Sequence, residues 1–200
     1  TLYGLSRMVV QLLAVGYILV VLFESESPLT VSAVLFVMIT VSSWIALRPL
    51  GESRPGLYWI ALLSITAGCV PVLMLATQLV IDVEPWYAPH YLIPLAGMIF
   101  ANSMNPVSIA GERYQAELDH GHNPEKARYI AMQTAMIPLV NSLMAVGLVS
   151  LPGMMTGQVL SGVSPLIAAR YQILVMCMLF SASGISVACF LHLWGRRSAH

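Results

Sequence analysis

Six apolar stretches follow one another along the chain, each close to the roughly 20 residues a helix needs to cross a bilayer. They run from about Leu5 to Phe23, Val31 to Leu47, Leu57 to Ile81, Tyr91 to Ala110, Tyr129 to Ser150 and Leu166 to Leu193. The runs are continuous rather than alternating, so they predict helices and not barrel strands. The expected fold is all-α, a polytopic transmembrane helical bundle of about six spans with a short cytoplasmic helix. Six such spans take up most of the 200 residues, leaving a single transmembrane domain over 1–200 with a cytoplasmic segment at 111–128. Charged residues make up 9% of the chain, against about 25% in a soluble domain. That excludes a soluble enzyme, a disordered chain and a basic nucleic-acid binder, and it makes the lipid bilayer the first partner.

Lysine and arginine orient the bundle. Arg7, Arg48, Arg54, Arg113, Lys126, Arg128, Arg196 and Arg197 fall on one side when the spans alternate, and only Arg170 does not. The opposite loops carry Glu24, Glu26, Asp82 and Glu84. The basic side is expected to be cytoplasmic and to include the C-terminus. The chain starts at Thr1 and enters a span almost at once, without the pattern of a signal peptide, which reads as a trimmed chain or a fragment.

The centres of the spans carry no Asp, Glu, Lys or Arg, so no proton relay is visible. His192 is the only histidine inside a span, and its place near the cytoplasmic end reads as interfacial. A phosphate-binding loop needs Lys after Gly, but the only lysine, Lys126, follows Glu125. No catalytic residue and no bound cofactor are expected, and energy for active transport would come from another subunit. Cys69, Cys177 and Cys189 lie in apolar runs without metal or disulfide spacing and read as small buried hydrophobes.

Between the fourth and fifth spans, Glu112, Arg113, Tyr114, Gln115, Ala116, Glu117 and Leu118 read as a short polar helix ended by a left-handed Gly121. Asn123 would cap the next helix with Pro124 at its first position. The residues leave two readings open, a docking peg for a cytoplasmic partner or a plain connector. Asn102, Ser103, Asn105 and Ser108 are expected to break the fourth span, with Pro106 removing a helical hydrogen bond. Asn141 and Ser142 sit midway along the fifth. Amides and hydroxyls at this depth either line a pathway or join helices. Pro152-Gly153 interrupts the next apolar run, and Gly162 and Pro165 interrupt it again. Broken helices at membrane depth tend to line cavities. Gly153 and Gly157 also form a small-residue packing pattern, and the thioethers of Met154 and Met155, followed by Thr156 and Gln158, suit soft cations or serve as filler.

Gly147-Leu148-Val149-Ser150-Leu151-Pro152-Gly153-Met154-Met155-Thr156-Gly157 resembles the signature of the FetB/YbbM family of ABC-transporter permeases. Ser164-Pro165, Ala169-Arg170-Tyr171-Gln172-Ile173, Arg7, Gln11 to Tyr17, and Asn102 and Asn105 before Glu112-Arg113-Tyr114 fit the same family. The likeness covers nearly the whole chain. It implies a permease of a bacterial iron exporter, with plant relatives in aluminium tolerance, paired with a separate ATP-binding subunit that holds ATP and Mg. It also implies that Glu112–Glu117, Gly121 and Pro124 belong to the loop inserted into that ATPase. Gln115 and Glu117 depart from the more usual Glu and Ala of that loop, and His122-Asn123 from the usual Ala-Ser or Ala-Thr. The family also implies one further apolar helix upstream of Thr1.

The reading from sequence is therefore the membrane subunit of a metal-ion exporter, with iron as the expected cargo, in the inner (plasma) membrane of a bacterium. Two copies would form the pathway. Asn102, Asn105, Asn141, Pro152, Gly153, Met154, Met155, Thr156 and Gln158 would line it. The rival reading is a passive channel or an ion-coupled secondary transporter for a small solute.

Overall fold

The computed structural model describes residues 2–23 and 27–197. Glu24 and Glu26, expected in an outer loop, lie outside the described residues. Seven α-helices follow in order: α1 (Leu2–Phe23), α2 (Pro28–Ala46), α3 (Arg54–Met74), α4 (Pro89–Asp119), α5 (Pro124–Ala145), α6 (Gly153–Leu160) and α7 (Pro165–Arg197). A 3₁₀ stretch, Arg48–Ser53, joins α2 to α3, and a π-helical stretch, Leu75–Val80, extends α3. No strand occurs among the described residues, so the all-α expectation holds.

Among the described residues, five elements are long and apolar enough to cross a membrane: α1, α2, α3 with its π-helical extension, α4 and α7. The expected fifth span is α5, which has the length at 22 residues but carries Gln133, Thr134, Asn141 and Ser142. It is too polar for a helix that faces lipid all round.

The centre of the bundle is α3, α4 and α7, with α2 and α5 flanking α4. Ile65, Ile99, Val107, Val187 and Phe190 are fully buried there. In lipid the apolar surface gains little from burial, so close packing and interhelical hydrogen bonds hold the helices together. At the α3–α7 crossing, a Cβ on Gly68 would lie 2.6 Å from the Ala182 carbonyl and 2.8 Å from the Ser186 nitrogen. Beside it, the Cys69 thiol donates to Ser103 Oγ at 3.2 Å, and Ser103 and Ser183 hydroxyls meet at 3.4 Å.

Helix α4 corrects two expectations. It is not broken at Asn102–Ser108, and Glu112–Leu118 is not a separate helix; both belong to one helix of 31 residues. Pro106 has no N–H for the Asn102 carbonyl, but the Ser183 hydroxyl of α7 donates to that oxygen at 3.1 Å. The backbone group that would have destabilised the helix is satisfied from its neighbour.

At 1.5 Å per residue α4 is about 46 Å long, against about 30 Å of hydrocarbon. It therefore exceeds an untilted hydrocarbon layer by about 16 Å, and its charged residues, Glu112, Arg113, Glu117 and Asp119, all lie in its C-terminal part.

The break expected at Pro152-Gly153 includes Pro152 but lies mostly upstream of it. Helix α5 stops at Ala145, and Gly147 is left-handed at φ 81°. The chain is non-helical from Val146 to Pro152, and Gly153 opens α6. Pro152 fits just ahead of a helix because α6 needs no N–H from it. The second interruption falls where expected, with Gly162 left-handed and Pro165 starting α7. Cysteine burial is uneven: Cys69 is buried, Cys189 intermediate and Cys177 exposed on the bundle surface.

Candidate functional site

Two adjoining hollows form a groove on the α4–α5–α7 side. The inner one, of about 150 Å³, lies mid-bundle and is lined by Asn102, Asn105, Pro106, Pro138, Ser142 and Phe180, among others. The outer one, of about 470 Å³, lies between α5, α6 and α7 and includes Pro152, Met155, Gln172, Met176 and Cys177. Leu143 and Met176 belong to both, so the groove runs from mid-bundle to the end that carries Asp82 and Glu84.

Its polar groups come from helices that fold for ordinary reasons. Ala127, Ala131 and Ala135 let α5 lie close on α4, and four-residue spacing then turns Pro138 and Ser142 along the neighbouring stripe. Asn102 is exposed in the groove and donates to the Met98 carbonyl at 2.9 Å, one turn back. Asn105 is exposed beside it.

The sequence-derived residues separate here. Asn102, Asn105, Pro152 and Met155 come together along the groove. Asn141 is exposed on α5 but does not line it. Met154 packs against the core. Thr156 donates to the Pro152 carbonyl at 3.1 Å and steadies the start of α6. The Gln158 side-chain oxygen is buried without a partner. A Cβ on Gly153 or Gly157 would meet nothing within 4 Å, so this glycine pair packs against nothing among the described residues. Ser142 lines the inner hollow, one of the two readings its depth left open, whereas Gln172, Met176 and Cys177 were not picked out as a site by sequence reasoning. Gln172 and Met176 share a stripe of α7 at four-residue spacing, but their meeting with Met155 comes only through the packing of α6 on α7.

The second region is the corner between α4 and α5, at the basic end. Gly121, at φ 80°, ends α4. His122 N–H donates to the Glu117 carbonyl at 3.1 Å, and Gly121 N–H to the Leu118 carbonyl at 2.9 Å. This is the two-bond glycine cap of a helix end. Asn123 then accepts from Lys126 N–H at 2.8 Å, with Pro124 first in α5. Both caps match what the sequence implied.

Glu117, 5% exposed, is the anchor of this corner. It pairs with Arg113 one turn back and with His122 Nδ1 at 2.5 Å. The His122 hydrogen bond, with the Arg113 charge behind it, holds its carboxyl below the usual carboxylate range. Tyr114 is fully buried, its ring 5.0 Å from that of Trp194. Gln115 donates to Asp119 at 2.9 Å, the Ala116 carbonyl accepts from His120 N–H at 3.1 Å, and Glu112 is exposed. Arg197 donates to the Gly56 carbonyl, drawing the end of α7 to the start of α3 at this same end. The corner is thus a charged, doubly capped turn packed against the end of α7, at the end of a continuous helix.

Long apolar helices, an α5 too polar to face lipid all round and a groove along it define a polytopic all-helical membrane protein. Residues 1–198 match the uncharacterised protein family UPF0014, and the chain belongs to that family. It is 39% identical to the UPF0014 membrane protein slr1647 of Synechocystis over 92% of this chain and 77% of the relative. It is 33% identical to the probable iron export permease protein FetB of Escherichia coli, covering 95% of this chain and 78% of that one. Protein ALUMINUM SENSITIVE 3 of Arabidopsis thaliana is 30% identical, over 92% of this chain and 72% of its own length. No solved structure matches.

Proposed function

We propose that the chain is the membrane-spanning permease subunit of an ATP-driven metal-ion exporter. Iron is the first cargo to test, because a relative 33% identical is named a probable iron export permease. The observation that carries the reading is the groove, which offers Asn102, Asn105 and Ser142 at bundle mid-depth and opens toward the acidic end. Two copies would face each other across it, since one copy leaves Gln133, Asn141 and Ser142 of α5 uncovered. A separate subunit would bind ATP and Mg and grip the α4–α5 corner, where Glu112, Arg113 and the capped turn project on a stiff helix. Movement of that corner would reach the groove through the unbroken α4. In this reading the protein sits in a bacterial inner membrane with its basic end and C-terminus in the cytoplasm.

The test is transport in reconstituted vesicles against a panel of metals, with and without the ATP-binding subunit. ATP-dependent accumulation of a metal is the expected result. Flux that ignores ATP would make the protein a channel or an ion-coupled carrier instead.

A further inference from the structure

We propose that the outer hollow between α5, α6 and α7 is a binding site for a soft, thiophilic metal cation of single charge. This rests on the export reading but not on iron as its cargo, because a divalent ion is poorly matched to the donor set of this hollow. Met155 from α6, and Met176 and Cys177 from α7, line one space of about 470 Å³. Gln172, one turn before Met176, lines it too; it is 7% exposed, and its side-chain oxygen is buried without a partner. Thioether and thiol sulfur with a carboxamide oxygen form a donor set for soft metals.

No carboxylate or imidazole lines the hollow. Nor do three His, Cys, Asp or Glu gather into a metal-holding group anywhere among the described residues. Mg and Ca, which need several hard oxygens, are therefore poorly served. Charge balance selects further. A thiol that binds a metal gives up its proton. One Cys177 thiolate with one monovalent cation is neutral, and neutrality is what a site at apolar depth favours. A divalent ion would leave a net charge there.

The full chain in lipid nanodiscs tests this with Ag(I), which is redox-inert, and with Cu(I) in competition with a chromophoric chelator. The expected result is one tightly bound Ag(I) per chain with release of one proton, undisturbed by a large excess of Mg or Ca. Cys177→Ser, and Met155→Leu combined with Met176→Leu, should each weaken binding at least tenfold and leave the helical signal and melting temperature near wild type. Met178→Leu, in the core, and Cys189→Ser should bind as wild type does. The proposal is overturned if Ag(I) binds only through Cys189 or Cys69, if the hollow variants bind normally, or if wild type binds none. Parallel vesicle assays with the ATP-binding subunit separate the two claims. Site-dependent binding without ATP-driven export would sink the export reading alone. Export with normal binding in the hollow variants would sink the site alone.

Discussion

Individual side chains decide where this bundle tolerates change. A methyl group at Gly68 would fall on the backbone of α7, at 2.6 and 2.8 Å from atoms that cannot rotate away. Gly68→Ala should push α3 from α7 and destabilise the protein by about 1–3 kcal/mol, the usual cost of overpacking. Gly153→Ala and Gly157→Ala, which meet nothing within 4 Å, should leave the melting temperature of the detergent-solubilised monomer unchanged. Equal melting temperatures for all three variants would contradict the crossing. The Glu117 carboxyl supplies a pH dependence whose sign follows from its partners. Its titration point is lowered by His122 and Arg113, so its stabilisation is complete above the ordinary Glu value of about 4.3. The stabilisation disappears as pH falls through the lower folded value. Amide protection at Gly121 and His122, taken relative to the intrinsic exchange rate at each pH, should stay high near pH 5 and fall only in stronger acid. In Glu117→Gln it should be lower already at neutral pH.

At the scale of elements, the unbroken α4 joins the groove to the corner. Sequence reasoning placed a helix break at Pro106 because proline lacks the donor, and that rule says nothing of a hydroxyl arriving from another helix. Ser183 supplies it. Ser183→Ala should leave the Asn102 carbonyl unpaired, at about 1–3 kcal/mol. Loss of thermal stability, with local exchange rising around Asn102–Pro106, would show it, and an unchanged melting temperature would show that the bond carries no weight. Proline at position 116 has no such rescue. Ala116→Pro should bend the projecting end of α4, abolish pull-down of the ATP-binding subunit and leave membrane insertion intact. Retained pull-down would make the corner a mere connector.

For the whole molecule, the distribution of charge predicts, by the positive-inside rule, which end faces the cytoplasm. Arg113, Arg128 and Arg197 gather at one end through contacts with Glu117, Gly195 and Gly56. Asp82 and Glu84 lie at the other, between the π-helical stretch and α4. In otherwise cysteine-free protein, single cysteines at Glu84 or Gln158 should react with an impermeant thiol reagent applied to intact cells, and one at Glu117 should react only after lysis. Labelling of the Glu117 position in intact cells would invert the orientation.

Much of this was legible in the sequence, because some properties depend on local composition alone. Run length and apolarity specify helices in lipid, since backbone groups there must pair within their own segment. Caps are equally local, so Gly121, Asn123, Pro124, Gly162 and Pro165 were readable one by one. The continuity of α4, the upstream reach of the break to Val146 and the meeting of Met155 with Gln172, Met176 and Cys177 were not. Each depends on atoms from helices far apart in sequence, whose register is set by where alanines and glycines let backbones approach. Sequence alone determined the helices, their caps and their expected orientation. Tertiary packing decided which polar groups found partners and which were left facing a groove.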